Sequence, residues 1–338
     1  MQFKPFYNDW LDCSGMIAET GELNVVTLDK SFFENLKFDE ENLKKYRTEA
    51  AIRCDETLGD NPALLLSGGV DSQAMVLCWH EAGLKFDVII GVFKDDLNKQ
   101  DSDHAKLFCE TYNIPFKELK IDIVALLHRE NYDIAERYRS YSPHFNVHYK
   151  IVEILAEQGY TGACFGGMTP FKRNGSYGQN FMGAPFHFLK IQDKLPIPMQ
   201  GSFLSFSPEL TWSIGLMCKD VVHEGGRDIL YTPSQEELDI LNGLRYKEKT
   251  ESYRRTGLKV IPQEQKFTGF ELVKERYAKK YNDGWTFENL FRHKLVMRFK
   301  TDESPYDRFV FKESEVLETL ESIYLNNIRS CDGASTGV

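Results

Sequence analysis

The 338-residue sequence contains no CxxC pair, no apolar secretory core behind Met1, and no apolar run long enough to span a bilayer. These absences lead us to expect a cytoplasmic chain with no membrane partner. Its seven cysteines (Cys13, Cys54, Cys78, Cys109, Cys164, Cys218 and Cys331) are odd in number and scattered, as buried thiols in a reducing compartment would be. Positive charge is in short supply: 41 Lys and Arg against 51 Asp and Glu leave a formal charge of −10. An acidic surface repels phosphate backbones, so general nucleic-acid binding is disfavoured, although a nucleotide needs only a few local cations. Internal repeats and low-complexity linkers are missing. So are the Gly-x-Gly-x-x-Gly dinucleotide fingerprint and the Gly-Lys-Ser/Thr of a Walker loop.

What is present supports a substantial core, with 42% hydrophobic and 13% aromatic residues. "GMIAET" and "LNVVTL" flank Gly21-Glu22 and predict a small N-terminal β unit over 1–35. "FDEENLKKYRTEAAIRCDETLG" predicts a helix capped by Asp39 and ended by Gly59. Pro62 opens the strand "ALLL", and "QAMVLCWHEAG" has helical spacing that Gly83 stops. "FDVIIGVF" reads as a strand covered on both faces. "DSDHAKLFCETYNI" reads as a helix capped by Asp101 or Ser102, and "PFKELKIDI" as a strand. "HYKIVEILAEQGY" and "TGACFGG" add another helix and strand. Strands joined through helices predict an α/β fold with a doubly wound parallel sheet. "MTPFKRNGSYGQNFMGAPF" reads as a loop, and beyond Pro208 the chain reads as mostly helical. The expected division is 1–35, an ATP-binding α/β domain over 36–200, and a helical substrate-side region over 201–330.

The densest chemistry sits in Ser67-Gly68-Gly69-Val70-Asp71-Ser72, between the strand "ALLL" and a helix. A strand ending in Gly-Gly that feeds a helix points backbone N–H groups, and the positive end of the helix dipole, at one spot. Ser67 and Ser72 add hydroxyl donors. Asp71 would repel a bare phosphate, so its presence predicts a bridging Mg2+. The pattern is that of a pyrophosphate cradle without a lysine; the plainer alternative is a tight turn with an aspartate cap.

"SGGVDS" after "ALLL" resembles the signature of the PP-loop ATP pyrophosphatases, the adenine nucleotide alpha-hydrolase-like family. The similarity is greatest to the synthetase domain of asparagine synthetase. It is carried also by "AAIRC", by "VIIGVFKDDLNKQDSDHAKLFCETYNIPF", by "ACFGG" and by "IPQEQKFTGFE". The resemblance implies a HUP-type parallel sheet, ATP with Mg2+, and cleavage between the α and β phosphates. Residue by residue, it implies that Ser67, Gly68, Gly69, Val70, Asp71 and Ser72 hold pyrophosphate, with Asp71 as the Mg2+ ligand. It places Ile90, Gly91 and Val92 against adenine and Gly166 and Gly167 on the other side of the AMP. It makes Lys266 the phosphate-reaching lysine, where a solvated loop lysine is the alternative. Where the family carries an Asp-Glu pair, this chain has Met168-Thr169-Pro170-Phe171, which argues against aspartate as the acceptor. The sequence begins Met1-Gln2, without the cysteine of glutamine-hydrolysing relatives, so free ammonia, an amine or another subunit's product is the expected nitrogen donor.

Other constellations stay open. Lys172 and Arg173 form either a lid that clamps a phosphate or carboxylate, with Arg173 bidentate, or an exposed polar loop. His144 and His148 have helical metal-ligand spacing but no evident third ligand. Glu209, Asp220, Glu224 and Asp228 either meet an amine-bearing substrate or are solvated. Cys164, beside Gly166, is either a sulfur-transfer thiol or a buried strand thiol. The expected activity is an AMP- and pyrophosphate-forming ligase that adenylates a small-molecule carboxylate or carbonyl oxygen before an amine displaces AMP. A nucleobase-modifying enzyme like 7-cyano-7-deazaguanine synthase is the alternative within the family. A non-catalytic ATP-binding subunit is the alternative from another class. A homo-oligomer is compatible with either.

Overall fold

The computed structural model describes residues 11–12, 24–25, 30–138, 143–167, 171–173, 176–178, 194–217, 250, 253–263 and 270–281. At the N-terminus β1 (Leu11–Asp12) pairs antiparallel with β2 (Asn24–Val25), and α1 (Lys30–Asn35) follows. The second strand falls within the expected "LNVVTL". Its partner is nearer the N-terminus than "GMIAET", and 30–35 is helix, so 1–35 is not purely β.

α2 (Glu40–Leu58) begins where the Asp39 carboxylate accepts from Asn42 N at 2.9 Å, with Glu40 and Glu41 favourable at the positive end of the helix. It ends at Gly59 with φ +83°, a conformation a side chain would resist. β3 (Pro62–Leu65), α3 (Val70–Glu81), β4 (Asp87–Phe93), α4 (Lys99–Tyr112) and β5 (Phe116–Ile121) then alternate. α5 (Ile123–Arg129), α6 (Asn131–Tyr138) and α7 (Pro143–Glu157) lead to β6 (Gly162–Phe165). The hairpin of β7 (Phe171–Arg173) and β8 (Ser176–Gly178), β9 (Met199–Gln200), α8 (Pro208–Met217) and α9 (Phe270–Tyr281) complete the described elements.

β3, β4, β5, β6 and β9 form one parallel sheet in the order β5-β4-β3-β6-β9. Alternate residues feed two cores. Leu64, Val88, Ile90 and Cys164 face the layer holding α2, α3 and α4, and Ala63, Leu65, Ile89, Ala163 and Phe165 face the layer holding α5, α6 and α7. The fold is therefore doubly wound, as the helix-linked strands predict. All four residues of β3 are buried because it is central and covered on both faces. β5, at the edge, exposes Lys117, Glu118 and Lys120, charges that discourage pairing with another chain. Fully buried Trp79 and Phe108 anchor the first core, each contributing roughly 1.5–3 kcal/mol by leaving water.

Two further local expectations are corrected. α4 starts at Lys99, so Asp101 and Ser102 lie inside its first turn and Asn98 takes the cap position. The Asn98 side chain is spent elsewhere: it accepts from Phe93 N at 2.7 Å and donates to Gly91 O at 2.8 Å, tying the helix start to the end of β4. The glycine-rich stretch after 170 is not wholly loop, because β7 and β8 pair within it. Their link, Asn174-Gly175, is the dipeptide most favoured between hairpin strands.

Candidate functional site

The order of the sheet reverses between β3 and β6, and the crevice beyond their C-terminal ends is where open α/β sheets accept ligands. Ser67–Ser72 leaves β3 into this crevice, and Gly166-Gly167 leaves β6 beside it. The two turns touch through backbone. A Cβ on Gly166 would stand 2.8 Å from the carbonyl carbon and oxygen of Asp71 and from Ser72 N. A Cβ on Gly167, which has φ +80°, would stand 2.0 Å from Ser202 Oγ. Gly68, at φ +84°, would drive its Cβ to 2.3 Å from the Asp101 carbonyl oxygen. The glycines are thus demanded by the close approach of neighbouring protein atoms.

Gly69 occupies the cap position of α3 with extended geometry, and no side chain caps the helix there. Its first N–H groups are the kind of donors that hold an anion. Ser72 Oγ donates to Gly69 O at 2.8 Å and accepts from Ser67 N at 3.2 Å, and the Ser67 hydroxyl lies 3.1 Å from it. The serines therefore brace the loop as well as line it. In β4, Ile90 is buried in the first core and Val92 packs at its margin. An added Cβ at Gly91 meets nothing within 4 Å, leaving open space beside its backbone. Leu66 N donates to Ile89 O at 2.9 Å, so Ile90, Gly91 and Val92 run past the level at which the loop leaves the sheet.

The loop is also held from far along the chain, by groups that no local motif marks. The Tyr253 hydroxyl donates to Asp71 Oδ1. Buried Gln73 donates to Gly68 O at 2.8 Å and to Ile261 O at 3.2 Å, and accepts from Ile261 N at 2.7 Å. Gln263 Nε2 donates to Asp101 Oδ1 at 2.8 Å. The same segment is fixed to α2 by Arg47, whose guanidinium donates to Thr256 O at 2.8 Å, and to α4 by the Tyr112 hydroxyl on Lys259 O. Residues 253–263 therefore form a strap across α2, α3 and α4 that ends at the loop. A sequence separation of 182 between Tyr253 and Asp71 explains why no local pattern could reveal it.

Arg173 is placed by its backbone in β7, while its guanidinium and Met168–Pro170 lie outside the described residues, as do Lys266, Asp220, Glu224 and Asp228. Glu209 is half-buried in the first turn of α8. The His144 ring lies 4.0 Å from Phe270 and the His148 ring 4.8 Å from Phe165, so each packs on an aromatic. Among the described residues no three His, Cys, Asp or Glu side chains gather as a metal cluster. Burial, with His144 as a second cause, holds the His148 pKa down at about 4. Cys164 has a neighbour the sequence does not show: Cys54 Sγ lies 4.0 Å away, both thiols being fully buried. Burial first, and then Cys164, pushes the Cys54 pKa well up, which makes it a poor nucleophile. Among the described residues no helix is long and apolar enough to cross a membrane.

Sheet order and loop position together define a doubly wound parallel α/β protein with a glycine-lined turn at its switch point. No family model matches the sequence, and no curated protein matches it. Solved structures with likeness to the chain include the U34-tRNA thiolase NcsA from Methanococcus maripaludis with its 4Fe-4S cluster. It is 13% identical, with 76% of this chain and 80% of that chain covered and a TM-score of 0.34. They also include NMN synthetase from Francisella tularensis, 14% identical, with 73% of this chain and 96% of that chain covered and a TM-score of 0.32. Likeness at this level adds nothing to what the sheet and the loop say by themselves.

Proposed function

We propose that this chain is a PP-loop enzyme that binds Mg·ATP in the β3–β6 crevice and cleaves it between the α and β phosphates. The observation that carries the reading is the packing of Gly166 onto Asp71 and Ser72, which sets two glycine turns and a helix N-terminus around one main-chain-lined spot. In this reading backbone N–H groups of Gly68–Ser72 take the pyrophosphate oxygens. Asp71 holds the Mg2+, which would offset the negative charge shared by the aspartate and the phosphates. The adenine lies along Ile90–Val92, where Gly91 leaves room. Lys266 stands three residues beyond Gln263 in the sequence. It supplies positive charge as pyrophosphate departs, and Arg173 clamps the phosphate or the acceptor.

The reaction runs in two steps. An acceptor carboxylate or carbonyl oxygen attacks the α-phosphorus, the bond to the bridging oxygen breaks, and pyrophosphate leaves. Ammonia or an amine then attacks the activated carbon, AMP leaves with the C–O bond electrons, and one proton is released. Positioning and charge neutralisation supply most of the rate. The acceptor is a small molecule other than aspartate, and the nitrogen comes from free ammonia, an amine or a separate subunit.

Calorimetry with Mg·ATP, together with measurement of AMP and pyrophosphate from ATP, Mg2+, ammonia and a panel of small acids, tests the reading. Binding by the wild type, turnover with one acid, and loss of turnover in a folded Asp71→Ala variant are expected. Unchanged turnover in that variant refutes the site. Tight Mg·ATP binding with no AMP from any acid favours a binding subunit instead.

A further inference from the structure

Tyr253 is fully buried, and its hydroxyl reaches the one carboxylate in the loop. It belongs to a strap whose other end is anchored by Gln73 on Ile261 and by Gln263 on Asp101, the residue whose carbonyl abuts Gly68. Both ends of the strap therefore bear on the turn that would hold the phosphates. A carboxylate that accepts a buried hydroxyl loses rotational freedom, and a cation ligand that is already oriented binds at lower entropic cost.

Resting on the nucleotide-site reading above, we propose that Tyr253 is a positioning residue for Asp71 and that the strap Tyr253–Gln263 is a working part of the nucleotide site. Tyr253 acts through Asp71 on the metal and makes no contact with ATP itself. Occupancy of the loop is felt along the strap, because Tyr253 bonds Asp71 and Ile261 bonds Gln73, whose side chain also donates to Gly68 O. A merely structural tyrosine would weaken the protein as a whole. A positioning tyrosine weakens the metal-dependent part of binding.

The test is a Mg2+ titration of ATP binding, followed by calorimetry on the full chain, for wild type and Tyr253→Phe. The substitution keeps the buried ring and removes one hydroxyl. The half-saturating Mg2+ concentration should rise about tenfold, the size expected for a hydrogen bond to a charged group. ATP binding in excess EDTA should change less than twofold. Hydrogen exchange on the wild type gives a second reading that needs no variant: Mg·ATP should slow exchange over 253–263 more than ATP with EDTA does. An unchanged Mg2+ requirement in folded Tyr253→Phe, or an equal loss with and without metal, overturns the role of Tyr253. Exchange over 253–263 that ignores Mg·ATP overturns the role of the strap. A wild type that binds no Mg·ATP overturns the nucleotide-site reading, and this proposal with it.

Discussion

Gly91→Ala separates the needs of the fold from the needs of a ligand. The residue lies in β4, its φ is not positive, and a Cβ there meets nothing within 4 Å. The protein alone should tolerate the methyl. Replacing a strand glycine by alanine where the backbone permits it removes unfolded-state entropy and stabilises by roughly 0.4–1 kcal/mol. For a domain of this size that raises the melting midpoint by ~1–3 °C. If adenine packs on the main chain of Ile90–Val92, the same methyl sits where the ring must go. Overpacking of one methyl costs about 1–3 kcal/mol, which is a loss of about 5- to 150-fold in ATP affinity. The assay is calorimetry with Mg·ATP and, in parallel, Mg·pyrophosphate, which has no ring to collide. Affinity for ATP should fall while affinity for pyrophosphate holds. ATP affinity within twofold of wild type would refute the placement of adenine on β4.

Two further outcomes follow from the geometry. Gly68→Ala meets both a positive φ, worth about 1–2 kcal/mol, and a backbone carbonyl 2.3 Å away, whereas Gly83→Ala meets only a positive φ. Gly68→Ala should therefore lower stability to denaturant by at least about 1 kcal/mol more than Gly83→Ala, and equal losses would show that the Asp101 contact gives way freely. The His148 pKa is held near 4, below its unfolded value of 6.5, so the unfolded chain binds the extra proton between those pH values. Stability from this group is present above pH 6.5 and falls as pH drops towards 4, by roughly 2–3 kcal/mol. Melting curves from pH 7 to 4.5 should show a shallower decline in His148→Gln than in wild type, and parallel curves would exclude the effect.

Much of the fold was legible because its signals are local. Asp39 and Gly59 bracket α2 by cap chemistry, Pro62 opens β3, and the change from strand to helix spacing across Ser67–Ser72 places the loop. Where the structure departs from the local signals, a tertiary bond or the shortness of an element is the reason. Asn98 binds the end of β4 and so starts α4 before Asp101, and β9 is two residues long, too short for any periodicity. The Asn174-Gly175 hairpin signal was present, hidden in a stretch whose glycine and proline content reads as loop. In the candidate site, a motif of neighbouring residues marked Ser67–Ser72, and a short glycine string marked Gly166-Gly167.

By itself, the sequence determined the donors of the loop and the parallel alternation of strands and helices, because each depends on residues close together along the chain. Only the tertiary structure decided that Gly166 seats on Asp71 and Ser72, that Cys54 lies against Cys164, and that Tyr253 reaches back to Asp71. Those contacts join residues far apart in sequence, and they exist only once packing of the two layers on the sheet has brought their main chains within a few ångströms.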